Sequence, residues 1–151
     1  MHHEITFECR SLEVCRLDTS SSLELQLADA VSAGFPSPAK DYQSGVIDLN
    51  RELVLQPEST FCVTVRGESM QDANLMDGDI LVVDRSLTAS SGTIAVCLLD
   101  GEFTVKRVVI SGTAVTLVPE NPKFKPLLVQ PEQDFTVWGV VTWILHRSEG
   151  R

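Results

Sequence analysis

From Phe61 to the end of the chain, short apolar runs alternate with turn-forming residues. Phe61-Cys62-Val63-Thr64-Val65 is aromatic and β-branched, and Ile80–Val83 follows the turn signal Asp77-Gly78-Asp79. Thr93–Leu99 and Glu102–Ile110 flank Asp100-Gly101, a pair that tolerates positive φ and marks a hairpin. Ser111-Gly112 turns into Val115–Val118, and Phe135–Leu145 is the last run. The period of a helix is almost missing beyond residue 60. Strands this short and this regularly punctuated predict a mainly β domain, mostly antiparallel and strongly curled.

The first part of the chain has a different texture. Residues 1–33 are polar and acidic, with Glu4, Glu8, Glu13, Asp18, Glu24 and Asp29 against Arg10 and Arg16. Leu23, Leu25 and Leu27 alternate with Glu24 and Gln26, which suits a short extended segment. The run from Leu23 to Val31 equally suits one or two helical turns. Ala33-Gly34-Phe35-Pro36-Ser37-Pro38 breaks any regular element, and Pro36 holds Phe35 extended, so this stretch reads as an exposed linker. Asp48 to Leu55 predicts a short helix capped by Asp48 and ending before Pro57. The expected organisation is an N-terminal arm, 1–33, ahead of one compact domain, 34–151.

Composition narrows the function. The chain has 151 residues with 43% hydrophobic content, enough for a real core. A net charge of −9 repels phosphates, so strong direct DNA binding through a broad basic face is not expected. The cysteines, Cys9, Cys15, Cys62 and Cys97, show no two-residue spacing. His2 and His3 stand apart from them at a chain end, so neither a zinc site nor any cofactor is expected. Cys62 and Cys97 lie in strand-like runs and read as small buried hydrophobes. No basic start leads into an apolar stretch, and no apolar run approaches the ~18 residues that span a bilayer. The expectation is a soluble cytoplasmic protein without membrane contact.

Ser69 and Lys106 are the candidate chemical residues. Ser69 stands in Gly67-Glu68-Ser69-Met70 just after a strand. A serine hydroxyl needs a base beside it to act as a nucleophile, and a nearby glycine lets backbone amides approach a reacting carbonyl. The same pattern also suits an ordinary loop serine. Lys106 shares a strand face with Thr104, Val108 and Ile110. Burial there would lower its pKa and free a lone pair to take the serine proton. A snorkelling lysine fits the same spacing. His146 is the only histidine beyond the first three residues, and Asp77 and Asp79 read as turn residues.

Taken together, several stretches resemble the LexA/UmuD family of self-cleaving serine–lysine peptidases (S24 type). They are Gly34-Phe35-Pro36-Ser37-Pro38-Ala39, Ile47-Asp48-Leu49-Asn50, Gly67-Glu68-Ser69-Met70, Asp77-Gly78-Asp79 and Val82-Val83-Asp84. Asp100 to Arg107 is the longest, followed by Glu120-Asn121-Pro122 and Trp138-Gly139-Val140-Val141. The resemblance implies Ser69 as nucleophile and Lys106 as general base. It places the scissile bond at Ala33–Gly34, with alanine where the SOS-mutagenesis branch commonly has cysteine. It also implies that residues 1–33 are removed by self-cleavage and that amides near Ser69 and Met70 hold the oxyanion. Further implied are a curled β-domain, a homodimer and cleavage stimulated by a RecA–single-stranded DNA filament. The trimmed form would serve an error-prone, UmuC-like Y-family DNA polymerase in translesion synthesis.

Three other readings fit parts of the pattern. A LexA-like repressor shares this domain but needs a DNA-binding helix-turn-helix, for which residues 1–33 read as too short and too acidic. A signal peptidase shares the Ser–Lys chemistry but needs a membrane anchor. A non-catalytic polymerase scaffold would need neither Ser69 nor Lys106.

Overall fold

The computed structural model describes residues 7–9, 12–17, 19, 20, 22, 24–28 and 43–149. The linker and its Ala33–Gly34 bond lie outside the described residues; the alternative of helical turns from Leu23 to Val31 is overturned at Glu24–Ala28, where antiparallel pairing with Gln43–Asp48 makes a strand, and residues 29–31 lie outside the described ones. Leu23 lies outside them too, but the alternating segment that starts there does form a strand at Glu24–Ala28.

The elements in chain order are β1 (Phe7–Cys9), β2 (Leu12–Arg16), β3 (Glu24–Ala28), β4 (Gln43–Asp48) and α1 (Leu49–Leu53). There follow β5 (Thr60–Val65), a single 3-10 turn (Gln71–Ala73), β6 (Ile80–Asp84), β7 (Ile94–Leu99) and β8 (Glu102–Ser111). The chain closes with β9 (Ala114–Val118), β10 (Leu127–Leu128) and β11 (Phe135–Leu145). The strands expected from alternation and turn residues are present, with ends shifted by no more than a residue. The helix is shorter than expected, but its cap is the expected one: Asp48 Oδ1 accepts from the Asn50 amide at 3.0 Å.

One compact unit holds β3, β4 and α1; the other holds β1, β2 and everything from Gln56 onward. In the larger unit a nine-stranded antiparallel sheet runs β1-β2-β5-β6-β11-β7-β8-β9-β10 and curls into a half-barrel. The smaller unit pairs β3 with β4. The fold is therefore the mainly β, antiparallel architecture expected. β1 and β2 are an addition: part of the polar N-terminal segment forms the sheet edge, with Leu12–Arg16 paired against Phe61–Val65.

The curl has a local origin. β11 pairs with β6 through its C-terminal half and with β7 through its N-terminal half, and its register shifts at Val141/Trp143 and Val137/Gly139. Each irregularity bends the strand and raises its twist. Gly139 sits at one of them, and an added Cβ there would stand 2.5 Å from Val83 Cγ1, a fully buried atom group. Gly139→Ala is expected to destabilise the domain by about 1–3 kcal/mol, because the packed side chain cannot step aside. Denaturant unfolding checks this; an unchanged midpoint would contradict the close approach.

Strand parity sorts the core. Val63, Leu81, Val83, Val96 and Val105 pack on one face with Met70 and Leu75, and Phe61, Phe103 and Trp138 lie against them. Ala95, Cys97, Val108 and Leu117 form a second cluster. Cys97 is fully buried, as expected, and burial pushes its thiol up to about 11. Cys62 is not: it is half-buried. On β5 the side chains of Val63 and Val65 take the core face, and the alternation turns Cys62 to the other, less covered face.

Candidate active site

Ser69 is carried by the loop that leaves β5. Gly67 turns the chain at φ +97°, a conformation open to glycine, and its amide donates to Asp77 Oδ1 at 2.7 Å. Met70 then plunges into the core at 2% exposure, and its carbonyl accepts from the Ala73 and Leu75 amides. Ser69 is thus fixed between a pinned glycine and a buried methionine.

A second segment clamps the loop from the other side. The Glu120 amide donates to the Ser69 carbonyl at 2.8 Å, and the Asp72 amide donates to the Glu120 carbonyl at 2.7 Å. Asn121, itself buried, donates through Nδ2 to the Glu68 carbonyl at 2.8 Å. The Glu120 carboxylate accepts from Arg107 Nε, and Arg107 also donates to the Gly92 carbonyl. The serine loop is therefore tied to β8, the strand that carries the lysine. Asn121→Ala removes one of these ties without touching either reacting group. Any acyl transfer at the Ser69 hydroxyl is expected to slow by about tenfold through its misplacement, with a loss of about 1–2 kcal/mol in stability. A native rate in the variant would show that the clamp does not position the serine.

Lys106 reaches the same point from β8. Its Nζ lies 3.0 Å from Ser69 Oγ, 2.7 Å from Thr104 Oγ1 and 3.0 Å from the Val105 carbonyl oxygen. Its strand neighbour across the sheet is Ala95, and Thr104 stands opposite Cys97. Small apolar residues on that face leave room for the lysine stem and keep water from it. Burial accordingly pulls the ammonium below the usual lysine range, against a smaller opposing effect from Cys97.

The three contacts suit both protonation states. An ammonium has three hydrogens for three acceptors. A neutral amine keeps two, for Thr104 Oγ1 and the Val105 carbonyl, and turns its lone pair to the Ser69 hydroxyl. Thr104 therefore orients the amine, a contribution the sequence reading did not assign. The only signal available for it was its place two residues before Lys106 on the same strand face.

The depressed pKa carries a cost with a definite sign. The unfolded chain holds the lysine proton more tightly than the folded one. The penalty is full below the folded value and vanishes as pH rises to the ordinary value of about 10.4. Lys106→Met should therefore be more stable than the native chain near neutral pH, by about 1 kcal/mol. The gap should close as pH climbs through that window. Melting curves across pH check this; a less stable variant at neutral pH would contradict it.

Ser69, Lys106, Thr104 and Met70 line one cleft of about 200 Å³, with Val65 and Phe124 on its walls. Beside it, β8 has an open side. Its second half, Arg107–Ser111, pairs with β9, whereas Glu102–Lys106 pairs only with β7 among the described strands. An extended peptide could add along that edge. The structure thus brings together Ser69, Lys106 and the backbone around Met70. His146 lies elsewhere, its Nδ1 2.6 Å from the buried carboxylate of Asp79, and Asp77 holds Gly67. Among the described residues no group of His, Cys, Asp and Glu is placed to hold a metal ion, and no helix is long and apolar enough to cross a membrane.

Comparison with known proteins gives matches over most of the chain. Residues 26–142 fit the family model described as Peptidase S24-like. Protein MucA of Salmonella typhimurium is 44% identical over 113 residues, covering 74% of this chain and 77% of the relative. Protein ImpA of Escherichia coli is 43% identical over 122 residues, covering 80% and 82%. The LexA repressor of Acidithiobacillus ferrooxidans is 37% identical over 139 residues, covering 90% of this chain and 66% of the repressor.

Proposed function

This chain belongs to the Peptidase S24-like family, and we propose that it is a UmuD-like SOS mutagenesis protein whose Ser69–Lys106 dyad cuts its own Ala33–Gly34 bond. The observation that carries the reading is the 3.0 Å approach of Lys106 Nζ to Ser69 Oγ, with an amine that burial biases toward its neutral form.

The linker lays Ala33-Gly34 along the open edge of Glu102–Lys106. Lys106 Nζ accepts the Ser69 proton as Oγ attacks the Ala33 carbonyl carbon. Amides near Ser69 and Met70 stabilise the oxyanion. As the tetrahedral centre collapses, Lys106 returns the proton to the Gly34 nitrogen, which departs as the new amino terminus of residues 34–151. Residues 1–33 remain as an ester on Ser69 until water, deprotonated by Lys106, releases them. Tethering the substrate makes the first step unimolecular, which well-oriented systems turn into effective molarities of ~10⁵ M or more. Control then lies in how rarely the linker docks and how rarely the amine is neutral.

The resemblance extends the proposal to partners. The chain acts as a homodimer, a RecA–single-stranded DNA filament favours the docked linker, and the trimmed form serves a UmuC-like Y-family polymerase in translesion synthesis. A purely non-catalytic scaffold would have no use for a lysine withdrawn from water and aimed at a serine hydroxyl. The test is intact mass after incubation with activated RecA filaments. A species beginning at Gly34 is expected, absent from the Ser69→Ala protein; no acceleration by the filament would sink the RecA part of the reading.

A further inference from the structure

β2 and β5 place two cysteines face to face. Cys15 is the register partner of Cys62 in the antiparallel pair Leu12–Arg16 against Phe61–Val65. Directly opposed residues in such a pair have Cα atoms ~4.5–5.5 Å apart and side chains on one face of the sheet. That span lies inside the range a disulfide bridges without backbone movement. Cys15 is exposed and Cys62 half-buried, so the pair is reachable from solvent. The thiols are also in electrical contact: burial, then the charge and hydrogen bond of Cys15, push Cys62 up to about 11.

We infer that Cys15 and Cys62 are a redox-sensitive dithiol that a peroxide or a small-molecule disulfide closes into a cross-strand disulfide, fastening the N-terminal segment to the catalytic domain. With a small disulfide as oxidant, exposed Cys15 attacks it and expels one thiol, leaving a mixed disulfide. The Cys62 sulfur then attacks the Cys15 sulfur and expels the second thiol. Two protein thiols lose two protons and two electrons, and the reagent leaves as two thiols. Cys15 is the exposed thiol and meets the reagent first, so Cys62 resolves the mixed disulfide, and closure accelerates as pH rises because each attack needs a thiolate.

The position gives the bond a consequence, which rests on the cut proposed above. Cys15 lies before Ala33–Gly34 and Cys62 after it. Cleavage alone leaves the segment held by strand pairing, from which it can leave; cleavage of the closed form leaves it covalently attached until a reductant arrives. Oxidation would separate the cutting of the chain from the release of its N-terminal piece.

Two arms of one experiment test this on the full chain. In the first, the Ser69→Ala protein, which stays whole, is treated with oxidised glutathione, alkylated, digested and weighed. A Cys15–Cys62 linked peptide within a single chain is expected, reversed by dithiothreitol and lost in Cys15→Ser and in Cys62→Ser. Alkylation of both thiols after oxidation would overturn the inference, as would a link found only between two chains or only through Cys9. In the second arm the oxidised native chain is left to cut itself. The small fragment should stay with the body on a non-reducing gel and separate on reduction. Release without reductant overturns the fastening. A linked peptide in the first arm, with no cut in the second and none in the reduced native chain incubated with activated RecA filaments, upholds the dithiol and refutes the cleavage reading instead.

Discussion

Ser69→Ala should lose self-cleavage by about 10⁴-fold or more, the order expected when a nucleophile is removed from a working unit. Among the described residues His146 is engaged with Asp79, and Thr104 Oγ1, the other hydroxyl at Lys106, sits on the lysine's own strand as the acceptor that orients the amine. The substitution takes away one of three acceptors around Lys106 and leaves Thr104 and the Val105 carbonyl in place. Stability should therefore move by no more than about 1 kcal/mol. The pairing of a large kinetic loss with a small thermodynamic one is the signature to look for, read by intact mass over time and by denaturant unfolding of the same samples. A whole chain that unfolds far more easily would mean that the serine was structural.

Lys106→Arg should cost about 10²- to 10⁴-fold, the usual worth of a positioned general base. Guanidinium keeps its proton at any accessible pH and has no lone pair to offer. The native chain and the variant must therefore differ in their response to pH. Native cleavage should speed up about tenfold per pH unit while Lys106 is mostly charged and level off once it is mostly neutral. Burial sets that levelling below the ordinary lysine range. The arginine variant should remain slow at every pH. If it regains speed at high pH, hydroxide or another base is taking the serine proton and Lys106 is not the base.

Much of this was legible before the fold. The strands announced themselves through alternation and through turn residues such as Asp100-Gly101, where Asp100 does adopt a positive φ of 50°. Those signals are local, so they survive without knowledge of the tertiary structure. The irregularities of β11 were not legible, because Val137, Gly139 and Val141 fit an unbroken strand equally well; the register is decided by two different neighbours, β6 and β7. The recruitment of β2 to the sheet edge was equally hidden. A short run between charged residues gains its identity from the partner it meets far along the chain, Phe61–Val65.

The candidate site divides in the same way. The residue types and the local turn at Gly67 could be read from the chain, and so could the chance that Lys106 was buried. Whether serine and lysine meet could not. They are 37 positions apart, and their contact depends on the sheet order and on the clamp from Glu120 and Asn121. Thr104 was missed because its value comes from the number of hydrogens a neutral amine has left to place, which emerges only with three acceptors in view. Cys62 was misjudged as buried because an apolar run conceals which of its members face outward; parity with Val63 settles it.

The most direct test is the titration of the Lys106 amine itself, followed by nuclear magnetic resonance at its labelled side-chain carbon in the Ser69→Ala chain. The amine should lose its proton below the ordinary lysine value of about 10.4, with a midpoint that tracks the levelling of native self-cleavage. A Lys106 that titrates like a lysine in open water, while the native chain still cuts at lower pH, would contradict the account.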